Sequence, residues 1–318
     1  MSYQWNFKDQ LHAHFARKRT DSSLGTSKSI RLRRMTIGGE PRNVLIRLVE
    51  TRKKIDAACE LVNDRYAWRG YGDSHHIPAD AHHMTFTAEV DEEIVGTITL
   101  AIDSSSGLAI DKAFAAEVDA FRCMPDTRVC ELTKFAFSPK VQSKELMAAL
   151  FHIVFVYGSR AHGGTDLFIE VNPRHVRFYE SMLGFQKLGG LKQNESVAAP
   201  AQLMWLKVSE IRDQILQCGG THRSSARSLY PFFFSPTEED GIYRRLIAAE
   251  TELIELPDNE EELTGLATSR SPVAVSAQLS LAAAALINKV QRRTPNPRSS
   301  PRPNYQKVMA AARKTQTI

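Results

Sequence analysis

The sequence predicts an α/β (α+β) fold in which a mixed central β-sheet is flanked by helices. Short runs rich in β-branched and aromatic residues alternate with longer runs of helical periodicity over residues 43–208. Two of the β-rich runs, MTFTAEV and IVGTITLAI, are separated by a short acidic turn and predict a β-hairpin. Later strands alternate with helices, which is typical of a sheet covered on both faces.

Each predicted element has a recognisable boundary. Ser143 stands in an N-cap position before a mostly apolar helix, and Pro173 suits the first turn of the helix that follows Asn172. The predicted elements, in chain order, are a strand at 43–49, a helix at 50–71, the hairpin strands at 84–90 and 94–102, a helix at 109–122, a strand at 128–139, a helix at 143–163, a strand at 166–172, a helix at 174–183 and a strand at 200–208.

Composition changes along the chain indicate four regions. Residues 1–41 are expected to form a flexible basic arm, 42–212 the folded domain, 213–262 a helical C-terminal extension, and 263–318 a low-complexity, disordered basic tail. The aromatic run YPFFFSP in the extension is expected to pack it over the domain; enclosing part of an acyl chain is the alternative.

The basic character of the chain belongs to its ends. Residues 1–40 hold eight Lys/Arg and three Asp/Glu, residues 287–318 hold eight Lys/Arg and no acid, and the whole chain has a net charge of +5, so residues 41–286 carry −8. Such tails favour solubility, with weak association with an anionic membrane surface as the alternative. No nucleic-acid partner is expected.

The cysteines and the apolar runs indicate a reduced, cytoplasmic protein. The four cysteines include no Cys-x-x-Cys pair, and the longest apolar run, LSLAAAALI, is too short to cross a bilayer. The histidines of the loop DSHHIPADAHH occur as adjacent pairs without a supporting Cys or carboxylate set, so no metal site is expected.

The stretch VNPRHVRFYESMLGF resembles the C-terminal half of the GNAT fold of N-acetyltransferases, and in particular the long-chain N-acyl amino acid synthases, which are related to the acyl-homoserine-lactone synthases. VNDRYAWRGY, VGTITLAIDSSSGLAID and VCELTKFAFSP are similar to the same family and occur in the same order. The resemblance covers residues 44–210. It implies transfer of a medium- or long-chain fatty acyl group from acyl carrier protein to the amine of an amino acid.

One departure from the wider fold bears on the acyl donor. Acetyl-CoA enzymes resembling this chain have a glycine-rich loop after the fourth strand, where backbone amides bind the pyrophosphate. The corresponding segment here, SPKVQSKELMAAL, has no glycine. We therefore expect no resident cofactor and an acyl-phosphopantetheine thioester as the donor, because the carrier-protein arm has only one phosphate.

Glu131 is the candidate general base. A carboxylate in an otherwise apolar central strand is costly unless it is paired or used in catalysis. Alternation would place Glu131, Thr133 and Phe135 on one face of the strand. A structural ion pair with Arg65 or Arg69 is the alternative.

Other residues of the two central strands are candidates for binding the donor. The resemblance implies that the phosphopantetheine arm lies between these strands and that a backbone N–H near Thr133, Lys134 and Phe135 holds the oxyanion. Lys134 stands where homoserine-lactone synthases carry arginine, and an ordinary strand-edge cation is the alternative. Asn172 is expected to accept a hydrogen bond from the arm or from the acceptor amine; the alternative is that it only terminates its strand before Pro173.

The helix after Asn172 carries the remaining donor-side candidates. Arg174 and His175 lie at its anion-attracting first turn, which favours contact with the phosphate or an acidic carrier helix. Tyr179 matches the tyrosine that protonates the leaving thiolate in the resembled enzymes; packing is the alternative.

Three residues are candidates for binding the acceptor. Arg69 and Tyr71 follow the first helix, and by the resemblance they would contact the carboxylate of the amino acid; Asp103 matches a recurrent acidic position of the family. For each of them an ordinary helix-end or turn residue is the alternative.

Three functions remain open from the sequence. The first is the N-acyl amino acid synthase described above. The second is a homoserine-lactone-type signal synthase or an acyl-CoA-dependent N-acyltransferase, and the third is a non-catalytic lipid-binding protein of the same fold.

Overall fold

The computed structural model describes residues 29–141, 143–222 and 227–251. One eight-stranded sheet is formed by β1 (Ser29–Ile37), β2 (Glu40–Leu48), β3 (His83–Val90), β4 (Glu93–Ile102), β5 (Val129–Phe137), β6 (Asp166–Val171), β7 (Gln186–Asn194) and β8 (Ala199–Lys207). The α-helices are α1 (Arg52–Ala67), α2 (Asp111–Arg122), α3 (Lys144–Val156), α4 (Val176–Leu183), α5 (Val208–Cys218) and α6 (Pro236–Thr251).

The strand order in the sheet is β1-β2-β3-β4-β5-β6-β8-β7. All neighbouring pairs are antiparallel except β5 and β6, which run parallel. The predicted mixed sheet with flanking helices is therefore confirmed. All six predicted strands and all four helices of residues 43–208 are present, with boundaries shifted by up to a few residues.

The predicted flexible arm over residues 1–41 is wrong for residues 29–41, which form β1 and the start of β2. Gly38 and Gly39 close this hairpin with φ angles of +64° and +90°, a region that glycine enters without a Cβ clash. Ile30 is 1% exposed and lies opposite Ile46 in the core. Residues 1–28 and 252–318, which include the predicted low-complexity tail, lie outside the described residues.

Strand β7 was also missed by the sequence analysis. Its sequence, QKLGGLKQN, has two adjacent glycines and no alternating apolar pattern. It forms because it pairs antiparallel with the apolar strand β8, and Leu188 anchors it in the core at 2% exposure. Tertiary pairing has here overridden weak local propensity.

Strands β5 and β6 pair over only three residue pairs before their contact ends. Val129, Cys130 and Glu131 face Asp166, Leu167 and Phe168, respectively, and no pair of residues follows in either strand although both continue. An opening therefore exists in the middle of the sheet, on the carboxyl side of Glu131.

A β-bulge in β5 changes which residues share a face. Two steps along β4, from Thr99 to Thr97, correspond to three along β5, from Thr133 to Ala136, and Lys134 has a φ of +52°. The prediction that Glu131 and Phe135 share a face is wrong because of this extra residue.

The two faces of β5 have different neighbours. The Phe135 ring packs 5.0 Å from that of Phe151 on α3, while Ala136 packs with residues of α1. Glu131 lies on the face opposite to α3, near the start of α2, where its carboxylate accepts from the backbone of Ile110.

Helix α3 is the central helix of the core. Every residue from Ala148 to Val156 is buried, and Ser143 caps the helix as predicted, because its Oγ accepts from the N–H of Leu146 at 3.1 Å. A short π-helical turn, Tyr157–Ala161, follows it.

The C-terminal extension is anchored on α3 through a buried histidine. The N–H of Phe234 donates to His152 Nδ1 at 2.9 Å, so Nε2 carries the proton and donates to Glu239 Oε2 at 3.2 Å. The His152 ring stacks on Phe233 at 4.7 Å. The aromatic run therefore packs the extension over the domain, as expected.

None of the helices in the described ranges is long and apolar enough to span a membrane.

Candidate active site

A cavity of about 1100 Å³ occupies the opening between β5 and β6. It is lined by α1 and the loop after it, by the start of α2, by both separated strands, by Met147 and Phe151 of α3, by α4 and by the connection between β7 and β8. The structure therefore brings together most of the sequence-predicted site residues. The cavity residues named among those predictions are Arg69, Tyr71, Glu131, Thr133, Lys134, Phe135, Asn172, His175 and Tyr179.

Glu131 is the buried acid of the cavity. It is 2% exposed, and its Oε2 accepts from the backbone N–H of Ile110 at 3.3 Å. Burial raises the pKa of Glu131 to about 8, although the backbone N–H groups of Ile110 and Ala109 oppose the rise. The carboxyl group thus changes its charge near neutral pH, as a general base for an ammonium substrate must.

The structural alternative for Glu131 was an ion pair with Arg65 or Arg69. No lysine, arginine or histidine within the described residues forms an ion pair with Glu131. The guanidinium group of Arg65 instead lies over the Trp68 ring at 4.9 Å. That alternative is therefore wrong.

Glu170 is a second carboxylate of the cavity, which the sequence analysis did not select. It lies on β6 and is half-buried, and burial raises its pKa. The side-chain amide of Asn194 donates to its Oε1. The signal that could have found it is the one used for Glu131, namely an acid within the apolar strand DLFIEV.

The bulge of β5 lines the cavity with backbone as well as side chains. Lys134 and Phe135 have no register partner on β4, and Lys134 adopts the left-handed conformation. Burial lowers the pKa of Lys134, and the nearby Cys59 and Glu131 oppose that change. Thr133 and Phe135 both line the same space.

Tyr179 and Asn172 lie on the opposite side of the opening, at and after the end of β6. Tyr179 packs edge-on against Phe178 and Phe185 at 5.1 and 5.9 Å, and burial raises the pKa of its phenol. The Oδ1 of Asn172 accepts from the N–H of Arg174 at 3.2 Å, and its Nδ2 donates to the carbonyl of Pro200 at 3.3 Å. Asn172 therefore caps the turn Pro173–His175 while it lines the cavity.

Arg69, Tyr71, Arg174 and His175 form one group, here called the basic cluster. Arg69 Nη1 lies 2.9 Å from His175 Nε2, and the Arg174 guanidinium donates to the Tyr71 hydroxyl from Nε at 3.2 Å. Burial, Arg69 and Arg174 lower the pKa of His175, so its neutral ring accepts from Arg69. The sequence analysis placed Arg69 and Tyr71 on the acceptor side and the other two on the donor side, whereas the structure joins them.

Asp103 is not at the cavity. Both its carboxylate oxygens accept from Arg122, whose Nε and Nη2 lie 2.8 Å from Oδ2 and Oδ1, respectively. Arg122 also bonds to Asp111 and Asp119 and so ties the end of β4 to α2. The predicted acceptor-binding role of Asp103 is wrong because its charge is already neutralised away from the opening.

Two of the histidines that follow α1 have structural partners. His75 Nε2 lies 2.8 Å from the carbonyl of Tyr71, and His83 Nδ1 lies 2.8 Å from Asp80. Within the described ranges, no group of three or more His, Cys, Asp or Glu side chains is arranged to hold a metal ion.

The start of α3 differs from a pyrophosphate cradle. Its Leu146 N–H, one of the amides that a bound anion would need, already donates to Ser143. No glycine occurs between residues 138 and 150.

Comparison with known proteins supports a specific family. The family model of the N-acyl amino acid synthase FeeM matches residues 57–207. The solved structure of FeeM, an N-acyl amino acid synthase from uncultured soil microbes, is 30% identical over 54% of this chain and 94% of that chain, with a TM-score of 0.48. Comparison with curated proteins gave no match.

Two further solved structures are similar at lower identity. An N-acetyltransferase from Staphylococcus aureus Mu50 is 13% identical over 52% of this chain and 98% of that chain, with a TM-score of 0.35. An acyl-CoA N-acyltransferase from Pseudomonas aeruginosa has the same identity and coverage, with a TM-score of 0.36. The family model and the 30% identity place the chain, through residues 57–207, in the family of N-acyl amino acid synthases, which are enzymes that transfer an acyl group to an amine.

Proposed function

We propose that the protein transfers a medium- or long-chain fatty acyl group from acyl carrier protein to the amine of a free amino acid. The observation that carries this proposal is the opening between β5 and β6, which places the buried Glu131 carboxyl beside the β5 bulge. Its volume of about 1100 Å³ is at the upper end of ordinary ligand pockets. Such a space suits an extended pantetheine arm with an acyl chain and an amino acid together.

The reaction begins with proton removal from the acceptor. An amino acid arrives as an ammonium ion, and the ionised form of Glu131 takes one proton to give the neutral amine. The amine nitrogen then attacks the thioester carbonyl carbon, and backbone N–H groups at the bulge over Thr133–Phe135 hold the resulting oxyanion.

Collapse of the tetrahedral intermediate breaks the carbon–sulfur bond and forms the amide. The nitrogen loses its second proton to solvent, the departing thiolate takes a proton from the Tyr179 phenol, and the resulting tyrosinate regains a proton from solvent. The raised pKa keeps the Tyr179 phenol protonated until the thiolate forms but also makes it a weaker acid, so closeness to the departing sulfur has to favour the transfer. The products are an N-acyl amino acid and the free thiol of the carrier arm.

The basic cluster supports a donor that carries a single phosphate. Two guanidinium groups, a phenol and an imidazole converge beside the end of β6, where they can share the charge of the phosphopantetheine phosphate. The start of α3 has no glycine loop for the pyrophosphate of coenzyme A. We therefore assign all four residues of the cluster to the donor phosphate.

The test is a donor comparison with purified full-length protein. Acyl carrier protein and coenzyme A, each loaded with the same C8 to C16 acyl chains, are incubated separately with a mixture of the twenty common amino acids, and products are identified by mass spectrometry. N-acyl amino acids formed at least tenfold faster from carrier-protein donors are expected. Faster reaction with acyl-CoA or acetyl-CoA would show that the donor is a coenzyme A thioester and not acyl carrier protein. Binding of lipids without turnover would favour the lipid-binding alternative.

A further inference from the structure

Glu131 and Glu170 point to the same face of the opened sheet. Glu131 is in register with Phe168 across the parallel β5–β6 pair, so the two side chains project to one side. Phe168 and Glu170 are two residues apart on β6 and therefore share that face. Each of the two separated strands thus contributes one carboxylate to one side of the cavity.

Neither carboxylate has a cationic partner. In residues 29–141, 143–222 and 227–251, no arginine, lysine or histidine forms an ion pair with Glu170, and the same holds for Glu131. Two acids that face one cavity without an ion pair are costly, because each disfavours ionisation of the other and both are at least partly desolvated. The charge of Glu170 indeed contributes to the raised pKa of Glu131. A cationic ligand would relieve this cost.

The orientation of Glu170 is fixed from β7. The Oδ1 of Asn194 accepts from the N–H of Ser196 at 2.8 Å, so its Nδ2 is the group that faces Glu170. Asn194 therefore holds one carboxylate oxygen of Glu170 by a neutral hydrogen bond and leaves the charge uncompensated.

The two carboxylates differ in burial and in hydrogen bonding. Glu131 is almost fully buried, which raises its pKa to about 8. Glu170 is half-buried; burial raises its pKa as well, and the hydrogen bond from the Asn194 amide opposes that rise. Glu170 is therefore the carboxylate better placed to pair with a cation that enters the cavity.

We propose that Glu170 binds the ammonium group of the acceptor amino acid and presents it to Glu131. This assignment rests on the proposed function and adds a second residue to the acceptor site. The ammonium pairs with Glu170 on one side of the opening, and one of its protons passes to ionised Glu131 on the other. Glu170 stays ionised throughout, so the acceptor enters as a cation and reacts as a neutral amine.

The test compares wild type with Glu170→Gln. Glutamine keeps the size and the acceptor oxygen for Asn194 but removes the negative charge. We expect the KM for the best amino acid of the twenty to rise at least tenfold, while the KM for the acyl carrier protein donor changes less than twofold. Glu180→Gln, an exposed change on α4, is the matched control and is expected to leave both constants unchanged.

A pH profile separates this role from a structural one. The charged groups around the pair are Asp111 and Lys112 at the start of α2 and Lys134 on β5, and none of them is changed by the substitution. Loss of the Glu170 charge lowers the pKa of Glu131, so the acidic limb of kcat is expected to move to lower pH. An unchanged acceptor KM together with an unmoved acidic limb would overturn the assignment.

A binding measurement makes the test independent of turnover. The amino acid mixture is expected to raise the Tm of wild type, whereas the corresponding 2-hydroxy acids, which lack the ammonium group, raise it less. In Glu170→Gln this difference between amino and hydroxy acids is expected to disappear. Its persistence would overturn the role of Glu170, whereas absence of N-acyl product from wild type would count against the proposed function alone.

Discussion

Arg69 Nη1 lies 2.9 Å from His175 Nε2, so the end of α1 is joined to the turn that follows β6. These residues are 106 positions apart in the chain. Arg69 donates the proton of this hydrogen bond, the His175 ring accepts it, and a second arginine, Arg174, lies close to the ring. Two arginines, Arg69 and Arg174, are thus held next to the neutral His175 ring with no acid hydrogen-bonded to them among the described side chains. An anion from outside the protein accounts for this arrangement better than a structural role does.

Removing one cation from this cluster is expected to weaken donor binding. In Arg174→Gln the guanidinium that bonds to Tyr71 is lost, and with it the proposed charge-assisted contact to the donor phosphate. Such contacts contribute about 1.5–3 kcal/mol, so the KM for acyl carrier protein should rise roughly 10- to 100-fold. The KM for the amino acid should stay within twofold. Arg177→Gln, an exposed change one turn away, is the control; a rise in the amino acid KM instead would move the cluster to the acceptor side.

The pH dependence of turnover should follow Glu131. Burial raises its pKa to about 8, and only the ionised carboxylate can take a proton, so kcat is expected to increase as pH rises through about 8 and then to level off. Initial rates measured from pH 6 to 9.5 with saturating substrates check this. Glu131→Gln should reduce kcat at least 100-fold at every pH while the protein stays folded by circular dichroism. Full activity of this variant would exclude Glu131 as the base.

The free energy of unfolding should also depend on the ionisation of Glu131, but it should fall, not rise, as the pH increases. The pKa of Glu131 is higher in the folded protein than in the unfolded chain, so its stabilising contribution is complete below about pH 4.5 and is lost as pH rises to about 8. Glu131→Gln removes this loss. Urea unfolding should therefore show wild type losing stability relative to the variant between pH 5 and 8, by on the order of several kcal/mol. Parallel pH curves for the two proteins would contradict the raised pKa.

The bulge in β5 holds Lys134 in the left-handed backbone conformation, and substitutions at this position can test whether that conformation is required. Lys134 has a φ of +52°, which glycine adopts freely and β-branched residues avoid. Lys134→Gly should keep the Tm within a few degrees, whereas Lys134→Val should cost about 1–2 kcal/mol by chemical denaturation. Equal stabilities of the two variants would indicate that the left-handed conformation at this position is not required.

The anchoring of the C-terminal extension can be tested at two adjacent acids of α6. Glu239 is 4% exposed and contacts His152 and two arginines, Arg160 at 3.4 Å and Arg212 at 3.6 Å. Glu239→Gln should reduce the free energy of unfolding by about 1.5–3 kcal/mol, because the charge-assisted hydrogen bond from buried His152 and the ion pairs with the partly exposed Arg160 and Arg212 are lost. Asp240→Asn breaks only a partly exposed pair with Arg160 and should cost less than about 1 kcal/mol. Similar losses in both variants would show that burial of Glu239 is not what holds α6.

The sequence predicted the central elements well because their signals are local. Alternation identified β2, β3 and β4, and Ser143 and Pro173 marked two helix starts. Strand β1 was missed because arginines interrupt its apolar pattern, and β7 was missed because of its two glycines. Both strands are formed by pairing with a neighbouring strand. Such pairing is not encoded in local periodicity.

The candidate site was predicted residue by residue but not as an arrangement. Glu131 was found from the apolar strand around it, and Tyr179 was found from the family motif around it. The joining of Arg69 to His175 depends on the path of the chain over 106 positions, and the face of Phe135 depends on a bulge at a residue that is not glycine. Neither has a signature in the sequence. Glu170 did have one, since it is the single acid in the apolar stretch LFIEV.

The most direct test of the central claim is mass spectrometry of lipid extracts from a bacterial host that expresses the full chain together with an acyl carrier protein. Wild type and Glu131→Gln are compared at equal amounts of folded protein. New N-acyl amino acids present with wild type and absent with the variant are the predicted result, and they would identify the acceptor and the acyl length together. Identical extracts from the two strains would contradict amide formation from an acyl thioester at this site.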